Sequence, residues 1–297
     1  MALKSNVFTV EHEAFLESLA DLGHYQMLIA WQLRLAKDSV GRSLKVVEKQ
    51  GHKDMYGAAN GMSIINIFHD GKLDIRAPYG KRVSEGERLL PMAEEMERRF
   101  NSFLLVWVFE KVEQHLQALY GKLLYQLRDE VTVSDKQDFH RRHPKWSKQE
   151  RTPHYFDAYA AFCWKRDDKK VIAAFEKHLA WKRVTYLAYH EMPWREYIET
   201  IAFCRHRIVH NDGRVSAPSM NKLSKGQKAY VQECLHDSLY SKHKHILPTT
   251  KHIDGLFEAV ASYGWALYVL LSERCGMEDE SEFFRPEGGG KRKVKPG

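Results

Sequence analysis

From Pro91 to Arg128 the chain has one glycine, Gly121, and no further proline. Across it Phe100, Phe103, Leu104, Trp107, Val108, Val112, Leu116, Leu119 and Leu123 recur at spacings of three and four. That period puts apolar side chains on one side of an α-helix, so the segment is expected to be one long amphipathic helix with a broad buried face. Two starts compete. Ser84-Glu85-Gly86-Glu87 has the S-x-x-E form of a capping box, in which two side chains satisfy free backbone amides, while Pro91 fits a first turn, where its missing N–H costs little.

The remaining punctuation is also mostly helical. Residues 10–37 carry Phe15, Leu19, Leu22, Ile29, Leu33 and Ala36 at helical spacing, and 42–50 continue or restart that helix after Gly41. Asp70-Gly71 between two short β-prone runs is a hairpin signal and the one convincing strand pair. The stretch 140–154, HRRHPKWSKQERTPH, reads as a basic loop. Helices are expected over 155–165 and 169–190, from Pro193 to a stop at Gly213, near 226–241, and over 251–275. EGGGKRKVKPG has the composition of a disordered basic tail. These readings give a mainly α fold in three parts: a helix-plus-hairpin extension over 1–88, a helical domain over 89–281 and a tail over 282–297.

Composition narrows the function classes. Of 297 residues 43% are hydrophobic and 29% charged, with a net charge of +7, so the chain has the material for a core and a bias toward polyanionic partners, nucleic acid first. Cys163, Cys204, Cys234 and Cys275 lack CxxC spacing and read as reduced thiols. The N-terminus has no signal-peptide pattern, and the most apolar segment, 256–271, is interrupted by Glu258 and Ser262, so a cytoplasmic location away from membranes is expected. No Walker loop, GxSxG or HExxH occurs.

Chemistry-bearing residues concentrate in FCRHRIVHNDGRVS, 203–216. Arg205 and His210, five positions apart, both reach the C-terminal end of one helix. An imidazole moves protons near neutral pH and a guanidinium stabilises charge on phosphoryl oxygens. A basic residue near a helix C-terminus, followed by Asn211-Asp212-Gly213, also has a purely structural use in capping. Arg205, His206, three spacers and His210, late in a helical domain, resemble the motif of the HEPN superfamily of ribonucleases and toxins. The resemblance covers about residues 89–276. It implies Arg205, His210 and, in a lesser or orienting role, His206 as catalytic groups. It also implies metal-independent cleavage of RNA through its own 2′-OH, no cofactor, and a homodimer whose paired motif helices make one composite cleft. A toxin or anti-phage setting with an antitoxin or defence-system partner protein follows from the family alone. Asp212 stands where one HEPN branch carries a Tyr, so the likeness does not extend to that branch's Tyr modification.

Arg207, Asn211, Arg141, Arg142, Lys145 and Trp146 are the candidate RNA contacts, the last four as a basic loop with one stacking ring. Glu110 and Glu113 are candidates to orient the motif arginine. His243, His245 and His252 lack a companion carboxylate or thiol at metal-binding spacing and read as loop histidines. KRKVK, 291–295, is a candidate nucleic-acid tail. Two rival functions remain beside the nuclease: a non-catalytic RNA- or protein-binding dimerisation module of the same fold, and a nucleotide-binding regulatory domain.

Overall fold

A computed structural model describes residues 6–49, 57–60, 64–67, 73–76, 82–130, 136–166, 168–179, 192–239 and 241–277, and these are mainly α-helical. The tail with KRKVK, the Asp70-Gly71 turn and the expected helical stretch 180–190 lie outside them. Two helices of 41 residues dominate: α1 (Thr9–Lys49) and α2 (Gly86–Gln126). α1 runs unbroken through Gly41. Ser84 belongs to a strand instead of capping α2, and Pro91 lies inside the helix, where it forgoes one backbone bond near the start.

Ion pairs at both ends show that α1 and α2 are antiparallel: Lys37 meets Glu97 at 2.7 Å and Lys122 meets Glu11 at 3.4 Å. Against both packs α9 (Thr250–Arg274), parallel to α2. Its start is held by Asn101 of α2, which donates to Pro248 O at 3.1 Å. Its far half is held by Asn6, which donates to Tyr268 Oη at 3.2 Å and Ser272 Oγ at 2.7 Å. α9 is long and apolar enough by composition to cross a membrane, but half of its apolar window is buried in the bundle. α6 (Trp194–Asn211) completes the interior. Leu104, Leu105, Leu116, Leu119, Leu123, Tyr197, Ile201, Leu256 and Leu267 are fully or almost fully buried, each contributing roughly 1.5–3 kcal/mol of transfer free energy if aliphatic.

Shorter elements clothe one side. α3 (Lys136–Arg142), a 3-10 turn (Pro144–Lys148) and α4 (Pro153–Arg166) replace the loop expected over 140–154, and α5 (Asp168–His178) follows. Phe139, buried against Tyr155, Tyr159 and Phe162, anchors α3. α4 crosses α2 at Gly121, where a Cβ would stand 2.7 Å from Asp157 Oδ1 and 3.0 Å from its Cα, so the crossing requires glycine. α7 (Ala217–Asn221) and α8 (Lys225–Glu233) pack on α6, α8 with a full capping box from Ser224 and Gln227.

Strands occur in three antiparallel pairs among the described residues. β2 (Ile64–Ile67) pairs with β3 (Leu73–Arg76), as the Asp70-Gly71 signal implies. β1 (Gly57–Asn60) pairs with β4 (Arg82–Glu85) and encloses them in sequence. The helix expected over 226–241 ends at Glu233, and β5 (Leu235–Asp237) pairs with β6 (Lys244–Ile246). Tertiary contact overrides local propensity there: Ile246 N–H donates to Gly213 O at 2.9 Å and Leu247 N–H to Cys234 O at 2.7 Å. The apolar period of α2 also overstates its burial, since Phe103 is 58% and Trp107 43% exposed.

Candidate functional site

The motif lies on the last turns of α6, whose Trp194, Tyr197, Ile198, Ile201 and Cys204 face the core. Burial pushes the Cys204 thiol up to about 12, so it is a packing group with no thiolate chemistry at neutral pH. Two left-handed residues stop the helix: Asp212 (φ 52°, ψ 37°) and Gly213 (φ 74°). The Gly213 N–H bonds Arg207 O at 2.8 Å. A Cβ at 213 would meet Ile246 N at 3.2 Å, so glycine is set here by both backbone angle and the approach of β6.

A polar chain fixes this stop. His245, 1% exposed, directs Nδ1 at Asp212 O at 2.6 Å; the carbonyl can only accept, so Nδ1 carries the hydrogen. The Asp212 carboxylate lies 3.6 Å from His245 Nδ1 and 3.6 Å from the Arg99 guanidinium. Arg99 pairs with Glu95 at 2.8 Å and bonds Ser238 Oγ at 3.2 Å. Burial alone would raise the Glu95 carboxyl, but hydrogen bonds from the Leu239 N–H, Ser238 and Arg99 outweigh it and leave the group below its ordinary value. Nothing in the sequence marks Arg99, Glu95 or His245 for this work; the NDG turn marks only Asp212 and Gly213.

The structure brings Arg205, His206, Arg207 and His210 together on about one and a half turns. The His206 and His210 rings are 4.7 Å apart between centroids, tilted by 46°. Partial burial, then the charges of His210, Arg207 and Arg205, hold His206 below its ordinary value, so it is neutral at pH 7. Arg207 donates to Ser219 Oγ at 2.8 Å and lies over the Phe203 ring at 5.2 Å, which ties it to α7. Arg205 Nε is buried with no hydrogen-bond partner, and among the described residues no ion pair neutralises Arg205, His206, Arg207 or His210. Asn211 is exposed and its carbonyl accepts from the Arg214 N–H at 3.0 Å.

Arg141, Arg142, Lys145 and Trp146 lie elsewhere. The motif end is level with Arg99 on α2, whereas α4, on which α3 rests, crosses α2 at Gly121, about 33 Å further along at 1.5 Å per residue. In that outlying region Asp138 takes contacts from Arg141, Arg142 and Arg166. Trp146 packs partly into the core with Lys145 Nζ 5.0 Å over its ring. Within one chain these residues do not join the motif. Glu113 accepts from Trp164 Nε1 at 2.6 Å and is not the orienting partner of a motif arginine. His243, His245 and His252 diverge: His243 is exposed, His245 serves the helix stop, and His252 caps α9 through Thr249. No group of three His, Cys, Asp or Glu suited to a metal occurs among the described residues.

Compared with known protein families, with characterised proteins and with solved structures, the chain matches none.

Proposed function

We propose that the chain is a metal-independent endoribonuclease of the HEPN type, acting as a toxin or anti-phage effector. The observation that carries the reading is the unneutralised group at the end of α6: two arginines and two adjacent imidazoles without a carboxylate pairing any of them. Concentrating cations costs free energy unless an anion arrives to meet them, and an RNA phosphate is the anion such a basic chain meets.

In this reading His210 takes the proton of the RNA 2′-OH as O2′ bonds to phosphorus. Arg205, with a buried Nε free of protein partners, holds the charge of the crowded phosphorane. The P–O5′ bond breaks, and a protonated imidazole gives its proton to the departing 5′ oxygen. His206, neutral at pH 7, adds no positive charge that would oppose protonation of its neighbour. The products are a 2′,3′-cyclic phosphate and a 5′-OH. The Arg99–Asp212–His245 chain fixes where the helix ends and so where His210 is carried.

The test is an end-labelled RNA beside the same strand with one 2′-deoxy nucleotide at the scissile position, both in EDTA. Cleavage of the first with a cyclic phosphate terminus, and none at the substituted position of the second, is expected. A requirement for Mg²⁺, or indifference to the missing 2′-OH, overturns the reading.

A further inference from the structure

Phe103 and Trp107 of α2 carry large apolar rings, yet they are 58% and 43% exposed and stand one turn apart on the same side of the helix. The other sides of α2 near them are taken. Glu97 faces α1 through Lys37, Asn101 faces the start of α9, and Glu95, Arg99 and Ser102 face β5, the end of α6 and β6. At 100° per residue Phe103 lies about 40° and Trp107 about 80° round the helix from Arg99, whose guanidinium is 3.6 Å from Asp212. The two rings therefore lie in the arc of α2 between the end of α6 and α1.

The motif stands at the same height. α6 is antiparallel to α2: Asp212 is level with Arg99, and Trp194 packs on Tyr263 of α9 at 5.4 Å, beyond which Tyr268 stacks on His12 beside His115 of α2. Arg205, His206 and Val209 thus fall at the level of Phe103 and Trp107. Arg205 and Val209 occupy the flank of α6 opposite Glu196 and Arg207, which touch Ser224 and Ser219. By helix handedness that flank borders the same arc as the two rings, with His206 next round the helix. Val209, 49% exposed beside His210, continues the apolar surface from the rings into the motif.

We propose that Phe103 and Trp107 form a base-stacking platform that holds unpaired nucleotides of a single-stranded RNA beside the motif. This rests on the nuclease reading for what the strand is held for, and it names unpaired RNA as the substrate class. Charge complementarity selects the occupant. Among the described residues no carboxylate pairs with Arg205, His206 or His210, and a nucleic acid strand brings a phosphate for such cations together with an apolar π-face for each ring. Spacing selects the form of the strand. One helical turn sets the attachment points of the two rings about 6 Å apart along α2, wider than the roughly 3.4 Å between neighbouring bases of a duplex strand. The rings thus fit successive bases splayed out of their stack, which a single strand permits and a paired A-form helix does not. Splaying also serves the chemistry. A stacked helix holds O2′ away from the line of the P–O5′ bond, whereas a strand opened across two rings is free to turn O2′ into that line beside Arg205 and His210.

Binding of a short fluorescent 2′-O-methyl RNA, which the proposed chemistry cannot cut, to the full chain tests this by anisotropy. Phe103→Leu and Trp107→Leu keep an apolar side chain and lose the π-face, and each is expected to weaken binding at least about fivefold, with the thermal melt retained. Phe103→Tyr and Trp107→Phe keep it within about threefold. The same strand annealed to its complement binds at least about tenfold more weakly. Trp31→Leu, at a 52% exposed position on α1, leaves binding unchanged. If a leucine variant loses its melt, methionine at that position is read by the same criterion. Affinity indifferent to the leucine variants, an equal loss in the aromatic variants or in Trp31→Leu, a duplex held as tightly as the single strand, or a loss that sedimentation traces to dissociation of a protein pair overturns the platform. Ring-dependent binding by a wild type that cuts no unmodified RNA keeps the platform and sinks the nuclease reading alone. Cleavage of unmodified RNA with binding indifferent to both rings sinks the platform and leaves the nuclease standing.

Discussion

The molecule contains two histidine pairs that local sequence treats alike and the fold treats in opposite ways. His12 and His115 are 0% and 5% exposed, with centroids 5.9 Å apart. His12 stacks on Tyr268 at 4.6 Å and His115 on Phe15 at 4.1 Å. Burial, then the nearby His12, pushes His115 down to about 3. His206 and His210 are 4.7 Å apart, exposed, and set among arginines. The first pair is filling between α1, α2 and α9, where protonation costs core stability. The second stands on an exposed helix end, outside the packed interior. Titratable side chains become chemical tools only where the fold leaves their charged form a place in water or beside a ligand.

The largest effect that would sharpen this contrast is on the exposed pair's helix. Arg205→Ala and His210→Ala should each lower RNA cleavage at least about 100-fold, with circular dichroism and melting close to wild type. Collapse of the fold in Arg205→Ala would make the motif structural and erase the difference between the pairs.

The buried pair should appear in acid. The folded pKa of His115 is lowered from 6.5 to about 3, so between those values the unfolded chain binds the extra proton. Its contribution to stability is complete above pH 6.5 and is lost as pH falls toward 3, at up to about 1.4 kcal/mol per pH unit. His115→Phe should remove that share of the slope in denaturant titrations run between pH 7 and 4. An unchanged slope would mean that the buried pair is not what acid attacks.

Gly213→Ala acts between the pairs, on the stop that aims His210. With φ at 74° and Ile246 N 3.2 Å from a Cβ, it should destabilise by about 1–3 kcal/mol and slow cleavage more than a cavity substitution of equal cost in α9. The smallest effect is expected from His206→Ala, a loss of about tenfold or less read as initial cleavage rate. A loss as deep as that of His210→Ala would promote His206 from neighbour to proton carrier.

The long helices and the motif's place at a helix end were legible because period and punctuation are local. Phe15, Leu19 and Leu22 announce α1, and Asn211-Asp212-Gly213 announces the end of α6. What was not legible depends on distant partners. LHD and KHI are too short to show alternation; they become strands by pairing with each other, and Gly213 across the fold takes a further bond from Ile246. The stretch 140–154 reads as loop because it is polar and its helix is anchored by Phe139 just ahead of it, and because Pro144 starts a 3-10 turn instead of ending order. Periodicity marked Phe103 and Trp107 as apolar but could not say that they stay half-exposed beside the other described elements. The candidate contacts over 141–146 failed to join the motif for a similar reason: charge is visible in a sequence, and the 33 Å or so between levels of α2 is not.

Asn6 closes onto Ser272 at 2.7 Å, and the two are 266 residues apart. A nascent chain therefore cannot finish the bundle interior until α9 has cleared the ribosome, because α1 and α2 lack their third wall before then. β6, which buttresses the stop of α6, is made only just ahead of α9. A truncated translation product would carry the complete RHRIVH segment and no assembled site. For a protein whose proposed target is RNA, the order of synthesis itself delays assembly of the proposed site until α9 has emerged.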